Sequence, residues 1–213
     1  MQIRFRPAAA LFLFAVAAVL ALPVAHAVTG DAAAGKDQVA ACAACHGQDG
    51  ATPIDPSYPV LAGQSEKYLL RQLQLIQSDE RAIPLMAGQL AGKTEQNLAD
   101  MAAYYASLPG KVLQAQGSDE ELARAANIYR GGIANKAVAA CSACHSPSGN
   151  GNAFAGFPAI GGQPPQYVIN QLTEYREGRR QTDANFGAMM RGVAEGLTDS
   201  EILLLANYLQ GLH

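Results

Sequence analysis

The sequence predicts an all-α protein made of two tandem copies of one small domain, and three observations carry that expectation. The 213-residue chain repeats itself at long range. Its apolar residues recur at helical spacing between short loops containing Gly and Pro. No convincing run of alternating apolar and polar residues argues for a strand. The repeat is plainest in Cys42-Ala43-Ala44-Cys45-His46 and Cys141-Ser142-Ala143-Cys144-His145, which stand 99 positions apart (42 to 141).

Taken in order, the chain opens with a basic stretch holding Arg4 and Arg6, an apolar run over residues 8–24, and then Ala25-His26-Ala27. This is the build of a secretory signal peptide, with cleavage expected before Val28 and the mature protein in the periplasm. As an uncleaved anchor the run would be short for a bilayer and broken by Pro23. A helix is predicted from near Asp31 to Cys45. Ser65 can cap a second to about Ser78, and Thr94 a third to about Leu108, which Pro109-Gly110 ends. Ser118-x-x-Glu121 and Thr198-x-x-Glu201 are capping boxes that open helices in the second half. Residues Gln166 to Glu177 repeat the middle helix. The organisation is therefore a signal peptide over 1–27, a first domain over 28–108, a linker over 109–118 and a second domain over 119–213.

Composition narrows the function. The formal net charge is −3 and becomes more negative once Arg4 and Arg6 leave with the signal. With no basic run, nucleic acid is a poor partner. The four Cys are Cys42, Cys45, Cys141 and Cys144, and each pair is followed at once by a His. His26 leaves with the signal and His213 is the last residue, so His46 and His145 are the only other imidazoles.

C-x-x-C-H is the attachment signature of c-type haem. Two thiols form thioethers with the haem vinyl groups, and the neighbouring His becomes the proximal iron ligand. Disulfides within each pair would leave the paired His unexplained. A thioredoxin-like site needs a βαβ context that is missing here. A four-Cys zinc site would have to join segments far apart in sequence and would again waste both His. Two haem c groups are the expectation, bound through Cys42, Cys45, Cys141 and Cys144, with His46 and His145 on the irons.

The repeat points to the second axial ligand. Pro59-Val60-Leu61-Ala62-Gly63-Gln64 matches Pro158-Ala159-Ile160-Gly161-Gly162-Gln163, and Tyr68 and Gln72-Leu73 match Tyr167 and Gln171-Leu172. A five-residue insertion then shifts the offset to 104, where Met86-x-Gly88-x-x-x-Gly92-x-Thr94 matches Met190-x-Gly192-x-x-x-Gly196-x-Thr198. With no His to spare, a Met thioether is the natural ligand. Met101 lies on an apolar helical stripe and pairs with Leu205 in the repeat, so it is core; Met189 pairs with Leu85. Met86 and Met190 remain. Pro59 and Pro158 each follow their His by 13 positions (46 to 59, 145 to 158). Their carbonyls are candidate acceptors for the distal ring N–H, the alternative being ordinary turn prolines.

Taken together, CAACH and CSACH, LAGQ and IGGQ with Tyr four residues later, TEYREGRR, and MMRGVAEGL running into LTDSEI resemble the cytochrome c4 family over nearly the whole mature chain. The resemblance implies two tandem class I cytochrome c domains related by pseudo-twofold symmetry, facing each other across a polar interface near the haem propionates. It implies His/Met ligation and a periplasmic electron carrier rather than an enzyme. Its partners would be redox proteins such as a terminal oxidase or a quinol-oxidising complex. The chain is expected to be monomeric, and peripheral membrane association is compatible with this reading. An electron-transfer subunit of a dehydrogenase or oxidase complex is the alternative, with a dihaem peroxidase further away because each iron has a matched Met. Arg176, Arg179 and Arg180 could pair with propionates or face water. Domains this small have marginal cores, and haem would supply the missing apolar mass, so the apoprotein is expected to be largely unfolded.

Overall fold

The computed structural model describes Gln2, residues 28–86 and residues 88–213. The signal-peptide expectation falls on Met1 and residues 3–27, outside the described residues. The first half contains α1 (Ala32–Lys36), α2 (Ala40–His46), α3 (Glu66–Gln77) and α4 (Glu95–Ser107). The second contains α5 (Asp119–Gly131), α6 (Ser142–His145), α7 (Pro165–Arg176), α8 (Met189–Glu195) and α9 (Asp199–Leu209). Among the described residues there is no strand, only the isolated bridges Ile133–Val138 and Asn152–Phe157. None of the described helices is long and apolar enough to cross a membrane.

Local sequence explains most helix starts. Ser65 accepts from the Tyr68 amide to open α3. Reciprocal capping boxes join Thr94 with Asn97, Ser118 with Glu121, and Thr198 with Glu201. α7 begins on Pro165, whose ring presets the first helical φ and lacks only an amide that would be unpaired there anyway.

The expected single helix from Asp31 to Cys45 is instead two. α1 stops at Lys36, and Asp37 and Gln38 turn the chain so that Val39 enters the core at 6% exposure. Gly35 explains why the break is needed. A Cβ there would lie 2.0 Å from the Asp100 carbonyl oxygen, so α1 is held against α4 by backbone contact. The chain must then bend to deliver Cys42 to its own side of the core.

Each half has its own apolar core, one around Leu98, Met101 and Tyr105, the other around Tyr129, Ile202 and Leu205. Met101 is 2% exposed, the core role its helical stripe predicts. The two halves share a scaffold bond for bond. Gly50 O accepts from the amides of Leu61 (2.8 Å) and Ala62 (3.1 Å), and Gly149 O from those of Ile160 (2.7 Å) and Gly161 (3.1 Å). Gly63 N donates to Tyr105 O at 3.1 Å, and Gly162 N to Leu209 O at 3.0 Å. The connecting segment is strapped to the second half: Gln210 Nε2 donates to Gln114 O at 2.7 Å, and Gln116 N to Asn207 O at 3.3 Å.

Candidate functional site

α2 places Cys42, Cys45 and His46 at positions i, i+3 and i+4, which share one helix face. The second half does the same, with His145 N bonded to Cys141 O at 2.9 Å. Both imidazoles are buried at 7% exposure. His46 Nδ1 lies 3.0 Å from Pro59 O and His145 Nδ1 lies 2.9 Å from Pro158 O. A carbonyl can only accept, so Nδ1 carries the proton in both rings and Nε2 keeps its lone pair. Burial holds both imidazoles below their ordinary pKa, against the opposing pull of the proline carbonyl, so each ring is neutral and able to ligate.

The four thiols form no disulfide. Burial pushes the Cys42 thiol up and the Cys141 thiol up to about 11. Among the described residues no group of three or more His, Cys, Asp or Glu is arranged to hold a metal ion.

Met86 ends a 3-10 turn over Pro84–Met86, whereas Met190 is the second residue of α8. Both are half-buried. Different devices hold the two segments. Gln77 Nε2 donates to Leu90 O (2.9 Å) and Lys93 O (2.8 Å), tying the chain after Met86 to the end of α3. Asp183, 5% exposed, accepts from Arg191 N at 3.0 Å and Arg191 Nε at 2.8 Å, fixing the first turn of α8. Met189, beside Met190, is 42% exposed.

Between the halves lies a second constellation. Gln64 Nε2 donates to Ala159 O (2.8 Å) while Gln64 Oε1 accepts from Ala159 N (2.9 Å). Gln163 makes the same pair of bonds with Val60, at 2.9 and 3.1 Å. Beside this clasp, Arg81 donates to Gln72 (2.8 Å) in its own half and to Gln171 (2.9 Å) across the interface. Arg180 donates to Gln171 (2.5 Å) in its own half and reaches across to Tyr68 (3.0 Å) and Gln72 (3.2 Å). Arg180 is only 7% exposed, and among the described residues neither of these arginines has a carboxylate partner. Burial opposes ionisation of Tyr167, yet the charges of Arg81 and Arg180 outweigh it and hold the phenol below its ordinary pKa.

Buried cations normally come with anions. Two guanidinium groups without acids, at the meeting point of two halves that each carry C-x-x-C-H, suit the propionate carboxylates of haem. The neutral imidazoles suit its iron. Of the three second-half arginines raised by sequence, only Arg180 enters this interface. Arg176 bonds Leu197 O at 3.0 Å and Asp199 at 2.6 Å, strapping α7 to α9, and Arg179 pairs with Glu177 near the surface. Arg81 and the clasping role of the glutamines were missed, although Arg81 and Arg180 stand at the same 99-residue offset (81 to 180) as the attachment motifs.

Arg180→Met should cost about 2–4 kcal/mol, because the oxygens of Tyr68, Gln72 and Gln171 lose a charged donor inside the interface. Urea denaturation of the holoprotein would measure it, and a loss below about 0.5 kcal/mol would mark the network as solvated.

The family model for cytochrome c matches residues 32–109 and again 133–213. Cytochrome c4 of Pseudomonas aeruginosa is 44% identical over 190 residues, covering 89% of this chain and 92% of its own length. A thiosulfate dehydrogenase electron acceptor of Stutzerimonas stutzeri is 32% identical, covering 79% of this chain and 77% of its own length. Among solved structures, reduced recombinant cytochrome c4 from Pseudomonas stutzeri superposes with a TM-score of 0.83 at 42% identity, over 87% of this chain and all of that one.

Proposed function

This chain belongs to the cytochrome c4 family of dihaem electron carriers, and on that premise we propose that it passes single electrons between respiratory-chain components in the periplasm, with a terminal oxidase as its acceptor. It carries two covalently bound haem c groups and is a carrier rather than an enzyme. Cys42 and Cys45 hold one haem, and Cys141 and Cys144 the other. His46 and Met86 would ligate the first iron, and His145 and Met190 the second. The observation that carries these assignments is the doubled unit of a buried neutral His, its proline carbonyl and a matched Met segment.

Haem supplies a one-electron couple, and the chain's residues decide what that couple can do. The Pro59 and Pro158 carbonyls fix each imidazole plane and make Nε2 a stronger donor. Thioether ligation by Met86 and Met190 favours the ferrous state. With a His and a Met from the protein on each iron, no position would be left for oxygen or peroxide, which argues against the dihaem peroxidase reading. The acidic surface suits partners with a basic docking face, such as a quinol-oxidising donor and the oxidase.

A second reading has a specific observation in its favour. The electron-acceptor relative suggests that a dehydrogenase could be the donor, in place of a quinol-oxidising complex.

Expression of the full chain in a haem c-competent bacterium tests the proposal. Periplasmic extract should yield a protein starting at Val28 and carrying two haems, and carbon monoxide should leave its reduced spectrum unchanged. The reduced protein should be oxidised rapidly by a membrane preparation containing the oxidase. Carbon monoxide binding at either iron would remove the His/Met assignment, and cytoplasmic retention would remove the location. Reduction by a thiosulfate dehydrogenase without any exchange with the oxidase would favour the second reading.

A further inference from the structure

Both halves bury a tyrosine beside the first cysteine of their motif, but they take it from opposite ends of the domain. In the first half it is Tyr105 on α4, 5% exposed, in the same cluster as Val39. In the second it is Tyr129 on α5, fully buried, in the same cluster as Leu209. Leu209 is the structural counterpart of Tyr105, because Gly63 and Gly162 bond to these two carbonyls respectively. The tyrosine of each core therefore comes from a different helix, α4 in the first half and α5 in the second.

The change of helix alters where the hydroxyls go. Tyr129 Oη donates to Ser146 O at 2.5 Å. Tyr105 Oη is buried with no oxygen or nitrogen acceptor among the described residues, and the group it lies against is the Cys42 side chain. A buried hydroxyl left unpaired costs the desolvation of that group, so one retained at this spot calls for an acceptor. With Cys42 bound to haem, its thioether sulfur is the acceptor within reach.

We propose that Tyr105 is a positioning residue for the first haem alone, its hydroxyl donating to the thioether sulfur of Cys42 and raising the potential of that centre. The claim rests on Cys42 carrying haem. The positive end of the O–H dipole faces the haem in an apolar pocket and penalises the extra positive charge of the ferric state. The second haem has no such donor. The two centres therefore differ by a built feature rather than by loop shape alone.

Tyr105→Phe tests this in a Met190→His background, where the second centre is moved well away and the first is read separately. The equilibrium constant for reducing the first centre should fall about threefold, in the range of one modest hydrogen bond. The midpoint of the second should stay fixed. Intact mass on the same sample reports whether both haems are attached, so failed attachment at Cys42 is told apart from a failed hydrogen bond. With both haems in place, an unmoved first midpoint, or equal shifts in both, overturns the proposal. Should the variant not accumulate, resonance Raman of the unaltered protein decides. One haem should show a C–S stretch that shifts in deuterated water, and no shift in either overturns the assignment.

Discussion

Cys141→Ala/Cys144→Ala should leave a protein with one haem and an unfolded second half. The cluster around Tyr129, Ile202 and Leu205 has eight buried residues to hold a domain of this size, and a domain this small buries only about 60% of its surface on folding. Haem loss strips apolar contacts from that core and leaves the His145 Nε2 lone pair buried without a partner, at about 1–3 kcal/mol. A net stability of roughly 5–15 kcal/mol does not survive both losses. The chain has no Trp, so circular dichroism and NMR dispersion are the readouts. The helical signal should drop by about the share contributed by α5–α9. The first half, with its own core and haem, should keep a cooperative transition. A double variant with undiminished helicity and one sharp transition would show that haem is a passenger in this fold.

The second large effect is on potential. Met190→His replaces a thioether by a stronger σ-donor, which stabilises ferric iron. Axial ligands spread haem potentials over roughly 0.8 V, and this exchange should lower one midpoint by on the order of 0.1–0.3 V. The other should move little. Met189→Leu is the matched control, since Met189 is 42% exposed and is predicted to ligate nothing. A redox titration showing the large fall for Met189→Leu and none for Met190→His would reverse the register of the second Met. The wider imidazole must also fit beside Arg191, whose bonds to Asp183 fix the first turn of α8.

Where the sequence could be read and where it could not follows from the range of the interactions. The caps at Ser65, Thr94, Ser118 and Thr198 depend on atoms within three residues, and each sits where the sequence predicts it. The attachment motifs are equally local. The break between α1 and α2 was invisible because burying Val39 and pressing Gly35 against α4 are decided some 60 positions away, at Asp100. Met86 and Met190 share a sequence pattern, yet one ends a 3-10 turn and the other begins a helix, because the five-residue insertion changes what precedes them. The Arg81–Arg180 network needs two distant segments brought face to face, which no single-sequence periodicity reports. The tyrosine's change of helix was hidden more thoroughly still, since matching equivalent positions finds Leu209 opposite Tyr105 and never reaches Tyr129.

The paired amide contacts of Gln64 and Gln163 have a consequence for assembly. Each half presents the same patch to the other, so the contact is isologous, the kind found in C2 homodimers. Such a junction is used up when two units meet. No complementary face is left over for a third unit, and stacking along this axis ends at two. Covalent tethering then acts only on concentration: it holds one lobe at a high effective molarity beside its counterpart, which lets a joint made of the glutamine clasp and the Arg81 and Arg180 hydrogen bonds stay shut.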